Sequence, residues 1–202
     1  MAISIDDFRA ALTSQSPREI VDRVLLTAVP HVFGENRSDY TAFRKQLAAG
    51  LQVSPDGIFI VGSAMTGFCL SPDNYPRRFG DESDVDVVVC DAEMFDRIWF
   101  QLLQWDHPNR YGGVYGLERD TVVKWRKDIY WGWVRPDKLM TPSLNRRRGL
   151  KSVQEIGSRW FETFKLVANH PPLFGREISG RLYRTLEHVI MYHADGIRRL
   201  PS

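Results

Sequence analysis

Ile58-Phe59-Ile60-Val61-Gly62-Ser63, followed 22 positions after Gly62 by Asp84-Val85-Asp86-Val87-Val88-Val89-Cys90, is the stretch of this 202-residue chain whose reading decides the fold. Each half is a short, continuous apolar run of strand type, and the second is β-branched at four positions. Gly62 and Ser63 break the first run. Ser71 to Ser83, which holds Pro72, Asp73, Asn74, Pro76, Arg77, Arg78 and Gly80, can continue neither helix nor strand and reads as a polar connection. Asp91 then caps a helix whose apolar stripe is Met94, Phe95, Ile98, Trp99 and Leu102. A strand, a helical turn, a strand and a helix in succession predict an α/β (α+β) protein, a mixed sheet with flanking helices.

Outward from this centre the chain is helical on the N-terminal side. Ser16-Pro17-Arg18-Glu19 combines a cap, a proline at the first helical position and an acidic first turn, ahead of Ile20, Val21, Val24, Leu25 and Ala28 at helical spacing. Ser38 to Ala49 predicts a second helix, with Tyr40, Phe43 and Leu47 on one side and Gly50 as its stop. On the C-terminal side, residues 107 to 117 form a glycine-rich loop, and Ile129 to Val134 predicts a third strand. Glu177 to Arg199, with Ile178, Leu182, Leu186, Val189, Ile190 and Ile197, predicts one long closing helix.

Composition narrows the classes. At 43% hydrophobic and 26% charged residues the chain is ordinary globular protein, not a disordered or fibrous one. No apolar run approaches the roughly 18 residues a membrane helix needs, and Met1 to Asp7 has neither a basic start nor an apolar core. These features predict a cytoplasmic protein with no membrane partner. Two cysteines, Cys69 and Cys90, are too few for a disulfide scaffold and read as buried thiols. The net charge of +2 hides an uneven distribution: Lys124 to Lys151 carries nine Lys or Arg against Asp128 and Asp137, a local +7 that suits a phosphate-bearing partner.

The chemistry concentrates between Ile58 and Cys90. Asp84 and Asp86, at i and i+2 on a strand, project from one face, and two like charges side by side need a cation. Hard carboxylate oxygens, few in number, suit Mg²⁺ with water and nucleotide phosphates completing its shell. Gly62 lets backbone N–H groups approach a phosphate, and the Ser63 hydroxyl adds a donor.

Val61-Gly62-Ser63-Ala64-Met65-Thr66-Gly67 followed by Ser83-Asp84-Val85-Asp86-Val87-Val88-Val89 resembles the signature of the DNA polymerase β superfamily of nucleotidyltransferases, Gly-Ser and then Asp-x-Asp on the next strand. The resemblance covers about residues 57 to 135. It implies a nucleotidyltransferase-like core over residues 1–140, with residues 141–202 as a basic, helical segment packed on it. It also implies transfer of a nucleoside monophosphate from an NTP to an acceptor hydroxyl, with Mg²⁺ or Mn²⁺ as cofactor. Asp84 and Asp86 would be metal ligands and catalytic carboxylates, with Gly62, Ser63, Thr66 and Ser83 on the nucleotide side. A third carboxylate is expected on a later strand, Asp128 first and Asp120 as its rival. The gap from Gly62 to Asp84 is longer than in small members of the family, so Ser71 to Glu82 reads as an insertion whose Arg77 and Arg78 either grip the triphosphate or solubilise the loop.

Alternatives stand beside this. A fold kept without turnover, as an antitoxin-like or defence-associated protein recognising nucleic acid or a partner protein, would lack the third carboxylate and present segment 124–151 as a continuous basic surface. Arg146-Arg147-Arg148 with Lys138, Lys151 and Trp125, Trp131 and Trp133 fits either a solvated face or an RNA or protein acceptor groove. Arg181 and His188, seven apart on the expected last helix, echo the spacing of small helical ribonucleases. His188 and His193, at i and i+5, diverge too far on a helix to share a metal.

Overall fold

The computed structural model describes residues 3–109, 119–139 and 150–201. It is an α+β protein built on one four-stranded mixed sheet. The strands are β1 (Ile58–Val61), β2 (Val85–Cys90), β3 (Trp133–Val134) and β4 (Ile178–Tyr183), in the order β1-β2-β4-β3. β2 pairs antiparallel with β1, Val61 opposite Asp86, and parallel with β4, Asp86 opposite Ser179 and Val88 opposite Arg181. β4 and β3 are antiparallel.

The helices are α1 (Ile5–Ser14), α2 (Pro17–Ile20), α3 (Arg37–Leu51), α4 (Ser63–Thr66), α5 (Ala92–Asn109), α6 (Arg119–Tyr130), α7 (Pro136–Leu139), α8 (Lys151–Val167) and α9 (Leu186–Arg198). The start signals work as written. The Ser16 hydroxyl accepts from the Glu19 N–H while the Glu19 carboxylate accepts from the Ser16 N–H at 2.7 Å, a reciprocal capping box. α2 runs on as a π-helical turn over Val21–Leu26. The Asp91 carboxylate accepts from the Met94 N–H at 2.7 Å and opens α5.

Alternation along the strands divides the sheet into two unlike faces. Ile58, Ile60, Val85, Val87, Val89 and Leu182 point into the main core with Leu47, Phe95, Ile98, Trp160 and Phe164, all buried. The opposite face carries Val61, Val88 and Tyr183, which pack with Val189 of α9 and Leu26 in a smaller cluster. Asp86, Ser179 and Arg181 belong to this second face by register.

Three expectations are corrected. Ile178 to Tyr183 is a strand and not the start of the closing helix, which begins only at Leu186. The third strand is two residues long, because α6 continues through Ile129 and Tyr130, and Gly132 at φ +75° turns the chain into Trp133. Finally, β4 lies between β2 and β3, so residues beyond 140 supply a strand of the sheet and are not packed on a finished one.

β4 passes close under α8. A Cβ on Gly180 would stand 2.4 Å from Phe164 Cζ and 2.8 Å from Trp160 Cζ2, two stacked rings of the main core. Gly180→Val is expected to cost about 1–3 kcal/mol through this overpacking, read as a lower urea midpoint at unchanged slope. Gly80→Ala, where the space is open, should stay within about 0.5 kcal/mol.

Candidate functional site

The C-terminal end of β1 and the N-terminal end of β2 lie side by side because the two strands are antiparallel, and this brings Gly62 against Asp86. A Cβ on Gly62 would stand 3.1 Å from Asp86 Oδ2, and the residue has φ +66°. Glycine is required twice here, for backbone conformation and for clearance. Ser63 follows as the half-buried first residue of α4. Asp84 is exposed just before β2, while Asp86 is half-buried within it. The Ser179 hydroxyl donates to Asp86 Oδ1 at 3.0 Å from the neighbouring strand.

Burial pushes the Asp86 carboxyl above the usual carboxylate range, and the nearby Asp84 charge pushes it further. The Ser179 hydrogen bond and the Arg181 and Arg135 cations pull against this. Asp86 therefore stands in the field of a like charge, the condition a divalent cation relieves. The donor set, two carboxylates with the Ser179 hydroxyl bonded to one of them, consists of hard oxygens and fits Mg²⁺. The cleared space at Gly62 fits a close backbone approach.

The remaining candidates separate. Asp128 and Asp120 both lie on helix α6, not on a strand. Asp128 is half-buried, which raises its carboxyl, while Lys124, Arg181 and Lys127 lower it. It thus shares with Asp86 the field of the Arg181 guanidinium, yet among the described residues no three His, Cys, Asp or Glu side chains come together as a metal-holding group. The position facing Asp86 on the adjoining strand is Ser179. Thr66 is corrected from a nucleotide contact to a buried structural residue, since its hydroxyl donates to the carbonyls of Gly62 and Phe68. The Ser83 hydroxyl accepts from the Gly80 N–H at 3.0 Å and closes the turn before Asp84. Arg77 and Arg78 are exposed on the loop between α4 and β2, which is tied to the end of α4 by the Phe68–Arg78 bridge and by the Phe79 N–H donating to the Gly67 carbonyl.

Two arginines that sequence reasoning did not place here shape the site. Arg176 donates to the carbonyls of Gly80, Ser83 and Asp81 at 2.6, 3.1 and 3.2 Å and covers the Phe79 ring at 4.6 Å. It fixes the loop that delivers Asp84 to the segment that delivers Ser179. Arg181 is half-buried on β4, with its guanidinium 5.0 Å from the Trp133 ring and 4.8 Å from the Tyr192 ring. Contacts spanning some 90 residues leave no local sequence signal.

The ribonuclease arrangement is not present. Arg181 belongs to β4 and His188 to α9, where His188 Nδ1 shares a hydrogen bond with the Thr185 hydroxyl at 2.6 Å. The basic segment is broken up. Arg126 pairs with Asp106 at 2.7 Å and Arg135 with Asp137 at 3.0 Å, Lys138 and Lys151 stand near Asp137 and Glu155, and Trp125 is in the core. Arg146, Arg147 and Arg148 lie outside the described residues. Both cysteines are free and half-buried, and burial pushes the Cys90 thiol up to about 12. A cavity of about 590 Å³ opens between α5, α6 and the start of α9, lined by Phe95, Trp99, Leu102, Trp125, Ile129 and His188 among others, and includes none of the residues around Asp86. No helix among the described residues is long and apolar enough to cross a membrane.

The chain matches no protein-family model, no curated protein and no solved structure.

Two measurements follow from the geometry. Gly62→Ala is expected to cost about 1–3 kcal/mol in urea unfolding, because an L-residue is strained at this φ and its methyl presses on Asp86. His193 has a largely buried ring whose Nε2 has no hydrogen-bond partner; burial, aided by the Arg181 charge, holds its pKa down to about 4. Its unfolded value is about 6.5, so the unfolded chain takes up the proton first as pH falls. Stability should be fully present above pH 6.5 and fall by about 3 kcal/mol between pH 6.5 and 4. His193→Phe should remove most of that slope.

Proposed function

We propose that the chain is a nucleotidyltransferase of the polymerase β type, which binds an Mg²⁺–nucleoside triphosphate at Asp84 and Asp86 and transfers the nucleoside monophosphate to an acceptor hydroxyl. The observation that carries this reading is the close approach of Gly62, at the end of β1, to Asp86 on the adjacent strand β2, which sets a glycine backbone beside the segment that carries both Asp84 and Asp86. Asp84 and Asp86 would hold the cation, which when bound supplies charge for the phosphates and orients the α-phosphorus. Gly62 gives the phosphates access to backbone N–H groups, and Ser63 offers a further donor. Ser179 holds Asp86 in one orientation, and Arg176 holds the entry to β2. In the transfer an acceptor oxygen bonds to the α-phosphorus, the bond to pyrophosphate breaks and the hydroxyl proton passes to water. The acceptor is an RNA end, a protein or a small molecule.

A second reading, a chain that binds the nucleotide without transferring it, is favoured by Ser179, which stands where the adjoining strand could have offered Asp86 a third carboxylate. One experiment separates the two. Purified protein is incubated with each α-labelled NTP and Mg²⁺ or Mn²⁺, alone and with total RNA or cell extract, while metal-dependent NTP binding is measured in parallel. Transferred label that falls by about 10²-fold or more in Asp86→Asn supports the transferase. Binding that depends on Asp84 and Asp86 without any transfer supports the second reading. A folded chain that neither binds nor transfers overturns both.

A further inference from the structure

We propose that Arg181 is the anion-gripping residue of this site, the group that holds the phosphates of the nucleotide whose cation sits on Asp84 and Asp86; the inference rests on the Mg²⁺–nucleotide reading above. Parallel pairing of β2 and β4 sets Ser179 beside Asp86 and puts Arg181 two residues further along the same face. Its guanidinium is half-buried with the Trp133 and Tyr192 rings at 5.0 and 4.8 Å. Aromatic faces fix the plane of a guanidinium, and the uncharged hydroxyls of Tyr183 and Tyr192 are the polar groups that interact with it here. Among the described residues no carboxylate lies within 4.0 Å of it, whereas Arg135 and Arg184 each pair with an aspartate and Arg176 is spent on loop carbonyls. A cation withdrawn from water, immobilised and left without a counter-ion is costly unless an anion completes it.

A second observation points the same way. The Tyr183 hydroxyl, fully buried on the same face of β4 two residues from Arg181, makes no hydrogen bond of ordinary length and interacts instead with the Arg181 charge. Planar, forked donors match phosphate oxygens, and Arg181 is close enough for its charge to act on both Asp86 and Asp128. The ligand class is therefore a metal-bound polyphosphate that spans from the aspartates to the guanidinium.

The test uses opposite signs. Mn²⁺ binding to the full chain is measured by electron paramagnetic resonance, and binding of α,β-methylene nucleoside triphosphates in saturating Mg²⁺ by calorimetry. In Arg181→Gln the triphosphate should bind at least tenfold more weakly, while Mn²⁺ alone binds as tightly as before or tighter, because a neighbouring positive charge has gone. Arg181→Lys, which keeps the charge but not the fork, should fall between. A structural role would weaken metal and triphosphate together. That parallel loss, or unchanged triphosphate affinity in Arg181→Gln, overturns the proposal while the Mg²⁺–nucleotide reading stands. Wild-type protein that binds neither Mn²⁺ nor triphosphate overturns that reading and this proposal with it.

Discussion

β2 must be paired along both edges, and the rest of the structure depends on how that is met. Val85, Val87, Val88 and Val89 are buried, so each backbone N–H and C=O between them needs a protein partner away from water. β1 provides one edge through a hairpin-like return, and β4 provides the other after an excursion of almost 90 residues through α5, α6, β3, α7 and α8. Once β4 is inserted, Gly180 admits the Trp160 and Phe164 rings of α8 on one face, and Ser179 and Arg181 are delivered to the other. The pairing that completes the core therefore also completes the polar end of the sheet. This is why a substitution at Gly180, on the core side, bears on residues that face the site.

At that end the difficulty is charge. Asp84 and Asp86 repel each other, Asp86 is partly out of water, and the single hydroxyl of Ser179 is modest compensation. Well-packed proteins do not keep such a pair for stability, since a polar or apolar replacement would cost less. Arg176 could have been placed to neutralise the pair, but it is committed to the carbonyls of Gly80, Asp81 and Ser83 and serves only to position the loop.

Much of this was legible in the sequence, and the exceptions have physical causes. β1, β2 and the caps of α2 and α5 could be read because their signals are local: a β-branched run, a Ser-Pro-x-Glu start and an aspartate before an apolar stripe. So could the nearness of Gly62 to Asp86, once two sequential strands were assumed to pair. β4 could not, because Ile178, Leu182 and Leu186 recur at a spacing that also marks a helix face, and three successive positions within the strand carry Ser179, Gly180 and Arg181 for reasons of tertiary contact. Ile129 to Val134 failed in the opposite sense. Its β-prone composition yields to the continuation of α6, and Gly132 turns the chain only three residues later. Asp128 directly precedes that run, so the same continuation of α6 puts it on a helix and not at the start of a strand.

The two unmet electrostatic demands are complementary. Among the described residues no side-chain cation pairs with the two aspartates within 4.0 Å and no carboxylate pairs with the Arg181 guanidinium, yet both groups share one sheet face within each other's field. A bare divalent cation would satisfy the carboxylates but add to the positive charge facing Arg181. A bare polyphosphate would satisfy Arg181 but meet two carboxylates. Only a ligand that carries both, cation at one end and phosphate oxygens at the other, lowers both costs at once, so each half should bind better in the presence of the other. Under the proposed reading the site would select the metal–nucleotide complex over either component, whether or not transfer follows, and the selectivity would arise from a strand that the local sequence pattern disguises as a helix.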